Sequence, residues 1–160
     1  MKIPNDVEIM TKAYLIDKGG ICGQSCLAVI EGISIKEVLE NWDDLGMEFK
    51  GWSGWKQLRE YLEKRGHKIK LLRKDNWSDF EKEDYCILRI QWIGDGDNKE
   101  KPFYGWGHWS KASAYTHFVV VHDNQFYCNE EGLFEINKLE EYLEGAVITS
   151  IMRCSQDALE

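Results

Sequence analysis

Two residues in this chain have the types and the order needed for covalent catalysis. Cys22 is followed by Gly23 and then by an apolar run, Gln24-Ser25-Cys26-Leu27-Ala28-Val29-Ile30. Far downstream, His117 opens a strand-like run, Phe118-Val119-Val120-Val121. A thiol at a helix start sits in the partial positive charge of the helix N-terminus, which favours thiolate over thiol. An imidazole beside it then completes an ion pair that keeps the sulfur nucleophilic at neutral pH. The expected chemistry is nucleophilic attack by Cys22, with His117 carrying the proton.

A third residue follows from the hairpin after His117. A three-residue turn, His122-Asp123-Asn124, pairs Val121 with Gln125 and sets His117 opposite Asn129. A turn one residue longer moves Asn129 by one place. From there Asn129 would accept a hydrogen bond from one ring nitrogen and aim the other at sulfur, the orienting role in a Cys-His-Asn triad.

These residues need a scaffold. Gly19-Gly20 is a turn signal before the nucleophile. A helix is expected from about Cys22 to Glu31, stopped by Gly32. Ser34 caps a second, Ile35 to Trp42, with Glu37 as its capping-box partner. A third begins near Ser53 and covers Trp55 to Lys64, with Trp55, Leu58, Tyr61 and Leu62 on one face and Gly66 beyond its end. The period then changes. Lys68 to Leu72 and Tyr85 to Ile93 read as strands, then the hairpin of Thr116 to Val121 and Gln125 to Cys128. Ile136 to Leu143 reads as one more helix and Ala146 to Met152 as a last strand. The polar stretch between Gly94 and Gly107 is expected to be a surface loop and a candidate substrate flap. Helices first and an antiparallel sheet afterwards give an α+β fold. At 160 residues, the expectation is a single domain, 1–160.

The segment from Cys22 to Ile30 resembles the nucleophile helix of papain-like cysteine peptidases. It is closest to the bacteriocin-leader (double-glycine) peptidase family and its small stand-alone bacterial and phage relatives. In that family the cysteine directly before the glycine attacks, and an alanine or cysteine, here Cys26, sits four residues on. His117-Phe118-Val119-Val120-Val121 is similar to the family's histidine strand. Phe126-Tyr127-Cys128-Asn129 occupies the place of its usual aspartate-proline. The resemblance implies a papain-like α+β fold, with N-terminal helices carrying the nucleophile packed on a C-terminal antiparallel sheet. It also implies hydrolysis of a peptide or isopeptide bond by Cys22, His117 and Asn129, with a peptide or protein as partner and no cofactor.

Two departures bear on activity. The family usually has a glutamine six residues before the nucleophile, whose amide helps form the oxyanion hole; here that position is Ile16. Losing such a donor typically costs roughly 3 kcal/mol of transition-state stabilisation. The other is Asn129 for aspartate, which papain-like enzymes in general accept. The alternative reading is therefore a papain-like binding module without turnover, such as a mobile-element or phage protein that inhibits a host protein. An acyl transferase with an amine acceptor is a third.

Cys26, one helical turn after Cys22, is the rival nucleophile, and His108 in Gly105-Trp106-Gly107-His108-Trp109 is the rival base. Zinc would need Cys128 and His117 to join Cys22 and Cys26, but no second ligand pair follows. The formal net charge of -8 argues against a nucleic-acid partner. No apolar window has membrane-spanning length, and Asp6 and Glu8 interrupt any signal-peptide core, so a cytoplasmic location is expected with no membrane partner. Five cysteines, an odd count, are expected to be free thiols.

Overall fold

The computed structural model describes residues 1–14, 21–48, 54–72, 84–92, 116–143 and 146–155. Within them the architecture is α+β, with helices first and one antiparallel sheet after. Four helices open the chain: α1 (Val7–Tyr14), α2 (Cys22–Glu31), α3 (Ile35–Asp44) and α4 (Trp55–Lys64). The strands are β1 (Lys68–Leu72), β2 (Tyr85–Trp92), β3 (Thr116–His122), β4 (Gln125–Cys128), β5 (Gly132–Glu135) and β6 (Ala146–Ser155). They form one sheet in the order β1-β6-β2-β3-β4-β5. Every pairing is antiparallel.

The helix boundaries have local causes. Gly32 takes the left-handed conformation at φ 67° and closes α2, its N–H bonding back into the last turn. The Ser34 side chain accepts from Glu37 N at 3.1 Å to start α3, as the capping signal predicts. A second cap was not foreseen: the Asp6 carboxylate accepts from Ile35 N and Lys36 N, both at 2.9 Å. Two orphan donors of α3 are thus satisfied from the segment before α1. At α4, Gly54 is the N-cap, in keeping with the expected start near Ser53, with Gln57 Oε1 accepting from its N–H at 2.9 Å; Ser53 lies outside the described residues.

Sheet residues alternate between two apolar clusters. Ile87, Phe118, Val120, Tyr127, Met152 and Cys154 face α2, α3 and α4. Cys86, Leu88, Ile90, Val119, Val121 and Phe126 face away from them, beneath Leu139, Phe134 and Tyr142. A strand buried on both faces has no polar side, which is why Ile87-Leu88 and Val119-Val120-Val121 are unbroken apolar runs. The whole buried surface of α2, from Cys22 to Ile30, lies in this interior.

Four elements differ from the sequence expectation. α1 forms before the nucleophile with no fully buried residue, resting Val7, Met10 and Tyr14 on the first cluster. β5 was not expected; Gly132 at φ 110° turns the chain into it. The stretch from Ile136 is a 3-10 turn, Ile136–Lys138, followed by a short helix, α5 (Leu139–Tyr142). β6 runs on to Ser155, because it pairs with β2 along one edge and β1 along the other. Ile93 and the proposed flap, 94–107, lie outside the described residues.

Candidate active site

Cys22 is the first residue of α2, and α2 packs along β3. Its sulfur receives main-chain hydrogen bonds from Phe118 and Gly23. Phe118 is fixed from the other side, stacked on Trp55 of α4 at 6.0 Å between ring centroids. The Arg89 guanidinium carbon lies over that indole, 5.8 Å from its centre. The helix that carries the thiol and the strand that carries His117 therefore meet through the residue next to His117.

The ring itself goes elsewhere. His117 pairs with Ile90 across β2. Strand alternation turns it to the side of Val119 and Val121, whereas Cys22 and Phe118 belong to the cluster beneath the helices. His117 Nε2 lies 3.2 Å from Cys128 Sγ. Ionisation of Glu130 or Cys128 would raise the Cys22 thiol further.

The hairpin register differs from the expectation. The turn has two residues, Asp123 and Asn124, both with left-handed φ of 46° and 63°, and His122 pairs with Gln125. Two consecutive positive φ values match the strand twist, and Asp and Asn are the residue types that accept them. Carrying that register along the strands brings Asn129 level with Phe118, not His117. Asn129 Nδ2 donates to Thr11 Oγ1 of α1 at 3.1 Å, and its buried Oδ1 has no partner among the described residues.

The electrostatics correct a second expectation. Burial pushes the Cys22 thiol up to about 11, against the pull of the Phe118 and Gly23 hydrogen bonds; charge on Glu130 and Cys128 raises it further. A helix N-terminus contributes about 0.3–1 kcal/mol, up to about 2 when partly buried, and desolvation outweighs it here. Burial also holds His117 down at about 4. At neutral pH both groups are uncharged, so the resting site holds a thiol and an imidazole and no ion pair. Cys26 is buried on the same helix and raised well above its ordinary value by desolvation first and by Cys22 second.

The remaining histidines have structural surroundings. His67 Nε2 lies 3.4 Å from Glu31, a carboxylate that also receives Tyr61 and Arg65. His122 stacks on Tyr85 at 3.9 Å, and its Nδ1 lies 3.0 Å from the Asp84 carbonyl. His108, Trp106, Trp109 and Ile16 lie outside the described residues. All five cysteines are buried free thiols. Among the described residues no group of three or more His, Cys, Asp or Glu could hold a metal ion, and no helix is long and apolar enough to cross a membrane.

Sequence reasoning missed Cys128 and Tyr142. Cys128 sulfur takes hydrogen bonds from the Tyr142 hydroxyl and from the main chain at Glu130 and Glu131. The signal was present in Asp123-Asn124, since a two-residue turn in that register puts Cys128 on the same face as His117.

No protein-family model matches the chain, and no curated protein matches it. Among solved structures, the chain is similar to the peptidase domain of Streptococcus ComA, a bi-functional ABC transporter involved in a quorum-sensing pathway. The two are 13% identical, with 84% of this chain and 91% of that chain covered and a TM-score of 0.43. At that identity and TM-score the likeness establishes neither a family nor an activity.

Proposed function

We propose that the chain is a cysteine-dependent amide hydrolase acting on a peptide or isopeptide bond, with Cys22 as nucleophile and His117 as general base. One observation carries the reading. The Cys22 sulfur is hydrogen-bonded by the main chain of Phe118, the residue beside His117. The thiol is thus held one residue along the chain from His117, whose ring in this conformation turns to the Cys128 side of the strand. The order of Cys22-Gly23 on a helix and His117 on a strand adds the motif resemblance.

In this mechanism the Cys22 proton passes to the unprotonated ring nitrogen of His117 as the sulfur forms its bond to the substrate carbonyl carbon. The imidazolium then gives that proton to the leaving amine as the C–N bond breaks. Water adds to the thioester, its proton is taken by the same ring, and Cys22 leaves as a thiol. Because the resting pair is neutral, the proton moves during attack and not before it. The third place, an acceptor that orients the ring, is open to Asn129, expected from the sequence, and to Cys128, which the ring meets.

The test is incubation with a defined mixture of synthetic peptides, read by mass spectrometry. Cleavage by the wild type and none by Cys22→Ala is the expected result. Equal cleavage by both proteins would overturn the reading. A papain-like binding module without turnover is the second reading, favoured by the neutral, desolvated state of the Cys22 thiol. Wild type that cleaves nothing, and whose Cys22 is no more reactive than the other thiols, would favour it.

A further inference from the structure

We propose that Arg89 is a specificity-determining residue, its guanidinium binding a carboxylate of the substrate within a few residues of the bond that Cys22 attacks. The proposal deepens the hydrolase reading and rests on it for the identity of that bond.

The first observation is a cation without its anion. Arg59, Arg65 and Arg153 each hold a carboxylate, of Glu63, Glu31 and Asp84 in turn. Arg89 holds none among the described residues; its Nε donates to Thr149 Oγ1 at 3.0 Å, and its guanidinium carbon lies 5.8 Å from the centre of the Trp55 ring. The residue is half-buried, and burial holds it below the ordinary arginine value, whereas Glu31 raises Arg65. A partly desolvated cation is costly to keep without a partner.

The second observation is how the cation is held. β6 is bulged at this point: Arg89 pairs with Ser150 and Ile90 with Ile148, so Thr149 is the extra residue. The Thr149 hydroxyl accepts from Arg89 Nε and donates to the Arg89 carbonyl at 3.3 Å. A bulge disrupts the ladder locally and re-aims a side chain. Here it clamps the guanidinium at Nε. The two terminal nitrogens, with no hydrogen bond among the described residues, are the pair that meets a carboxylate side by side.

The third is place. Arg89 pairs with Phe118 across β2 and β3, and alternation from Ile87 sets both side chains on the sheet face beneath the helices. The Phe118 main chain holds the Cys22 sulfur, and the Phe118 ring stacks on Trp55. Nucleophile and cation therefore each touch the Phe118–Trp55 pair, the thiol at the main chain and the guanidinium at the indole. The carboxylate is that of an acidic side chain or of a peptide C-terminus.

The test reads the Arg89 Nε–H resonance, assigned with Arg89→Gln, in the Cys22→Ala protein titrated with short acetylated peptides. Three sets are compared: peptides with one Glu and an amidated end, the same with Gln, and the Gln set with a free C-terminus. The resonance should move saturably with a carboxylate-bearing set and stay still with the neutral one. Movement with the Glu amides assigns a side chain, and movement with the free acids alone assigns the terminus. No movement with either, or equal movement with the neutral set, would overturn the proposal. On the wild type, the responding set should protect Cys22 from iodoacetamide at about tenfold lower concentration than the neutral set, the scale of a charge-assisted contact. Arg89→Gln should abolish that preference. Thr149→Val, which removes the Nε acceptor and keeps the cation, should reduce it, and this variant carries the test if Arg89→Gln does not fold. A preference unchanged in either variant, or binding that leaves Cys22 unprotected, would also overturn the proposal. If the carboxylate peptides bind and protect but none is ever cleaved, the Arg89 site stands and the hydrolase reading fails. If peptides are cleaved through Cys22 with no preference for a carboxylate, the Arg89 proposal fails alone.

Discussion

The main chain of Phe118 hydrogen-bonds the sulfur of Cys22, so the first turn of α2 is docked on β3 one residue from His117. This contact fixes where the thiol sits but does not ionise it. Burial removes more stability from the thiolate than two main-chain donors and a helix end return. The consequence is a nucleophile that waits as a thiol.

Cys22 should be modified first among the five cysteines. It is 7% exposed, whereas the other four are at 2% or less. Its rate should be low at pH 7 and climb towards pH 11, since only thiolate reacts and burial pushes this thiol up to about 11. Limiting iodoacetamide followed by peptide mapping across that pH range checks both points. Preferential modification of Cys26, or a rate that plateaus below pH 8, would count against the assignment.

Removing the base should silence the nucleophile without unfolding the chain. His117→Ala is expected to lower peptide turnover by about 10²–10⁴, the usual worth of general-base assistance, with an unchanged far-UV spectrum. A folded His117→Ala protein with wild-type turnover would reject His117. The same substitution at His108 tests the rival base.

Asp6 should matter to stability more than its place near the start of the chain suggests. Its carboxylate satisfies two N–H groups at the start of α3, where Ser34 already satisfies a third. Asp6→Ala should cost about 1–2 kcal/mol, and Ser34→Ala about 1 kcal/mol. Urea unfolding checks these values. Faster hydrogen exchange in the first turn of α3 should accompany the Asp6 change.

Alkaline pH should destabilise the fold before any exposed group accounts for it. Burial pushes Cys22 up to about 11, and Cys86 and Cys154 up to about 12, all from an ordinary 9.0. Folded thiols that hold their protons more tightly than unfolded ones give stability that is complete below about pH 9. It is lost as pH rises towards 11–12, with each tenfold difference in proton affinity worth about 1.4 kcal/mol. The urea midpoint should therefore fall over that window, and Cys154→Ala should fall less steeply. A midpoint flat to pH 11 would contradict the burial of these thiols.

The elements were legible wherever local chemistry decides them. The ends of α2 and α4 and the strand from Lys68 to Leu72 follow from Gly32, Gly66 and the change of period. α1 was not, because nothing in it is fully buried and its anchor, Asp6 on α3, is a contact between residues about thirty positions apart. The candidate site was legible in its parts and not in its pairing. Cys22 at the helix start and His117 at the strand start can be read directly. Which neighbour the ring meets depends on the length of one turn, and one residue there takes Asn129 off the face of His117 and puts Cys128 onto it. Nor does residue type reveal how thoroughly Cys22 is desolvated, which reverses the direction expected from the helix end.

The most direct measurement is the intact mass of the protein after a small peptide-like electrophile at pH 7, on wild type, Cys22→Ala and His117→Ala. A single adduct on wild type, none on Cys22→Ala and a strongly slowed adduct on His117→Ala is the predicted result. An adduct of equal rate on wild type and Cys22→Ala would contradict the nucleophile, and with it the hydrolase.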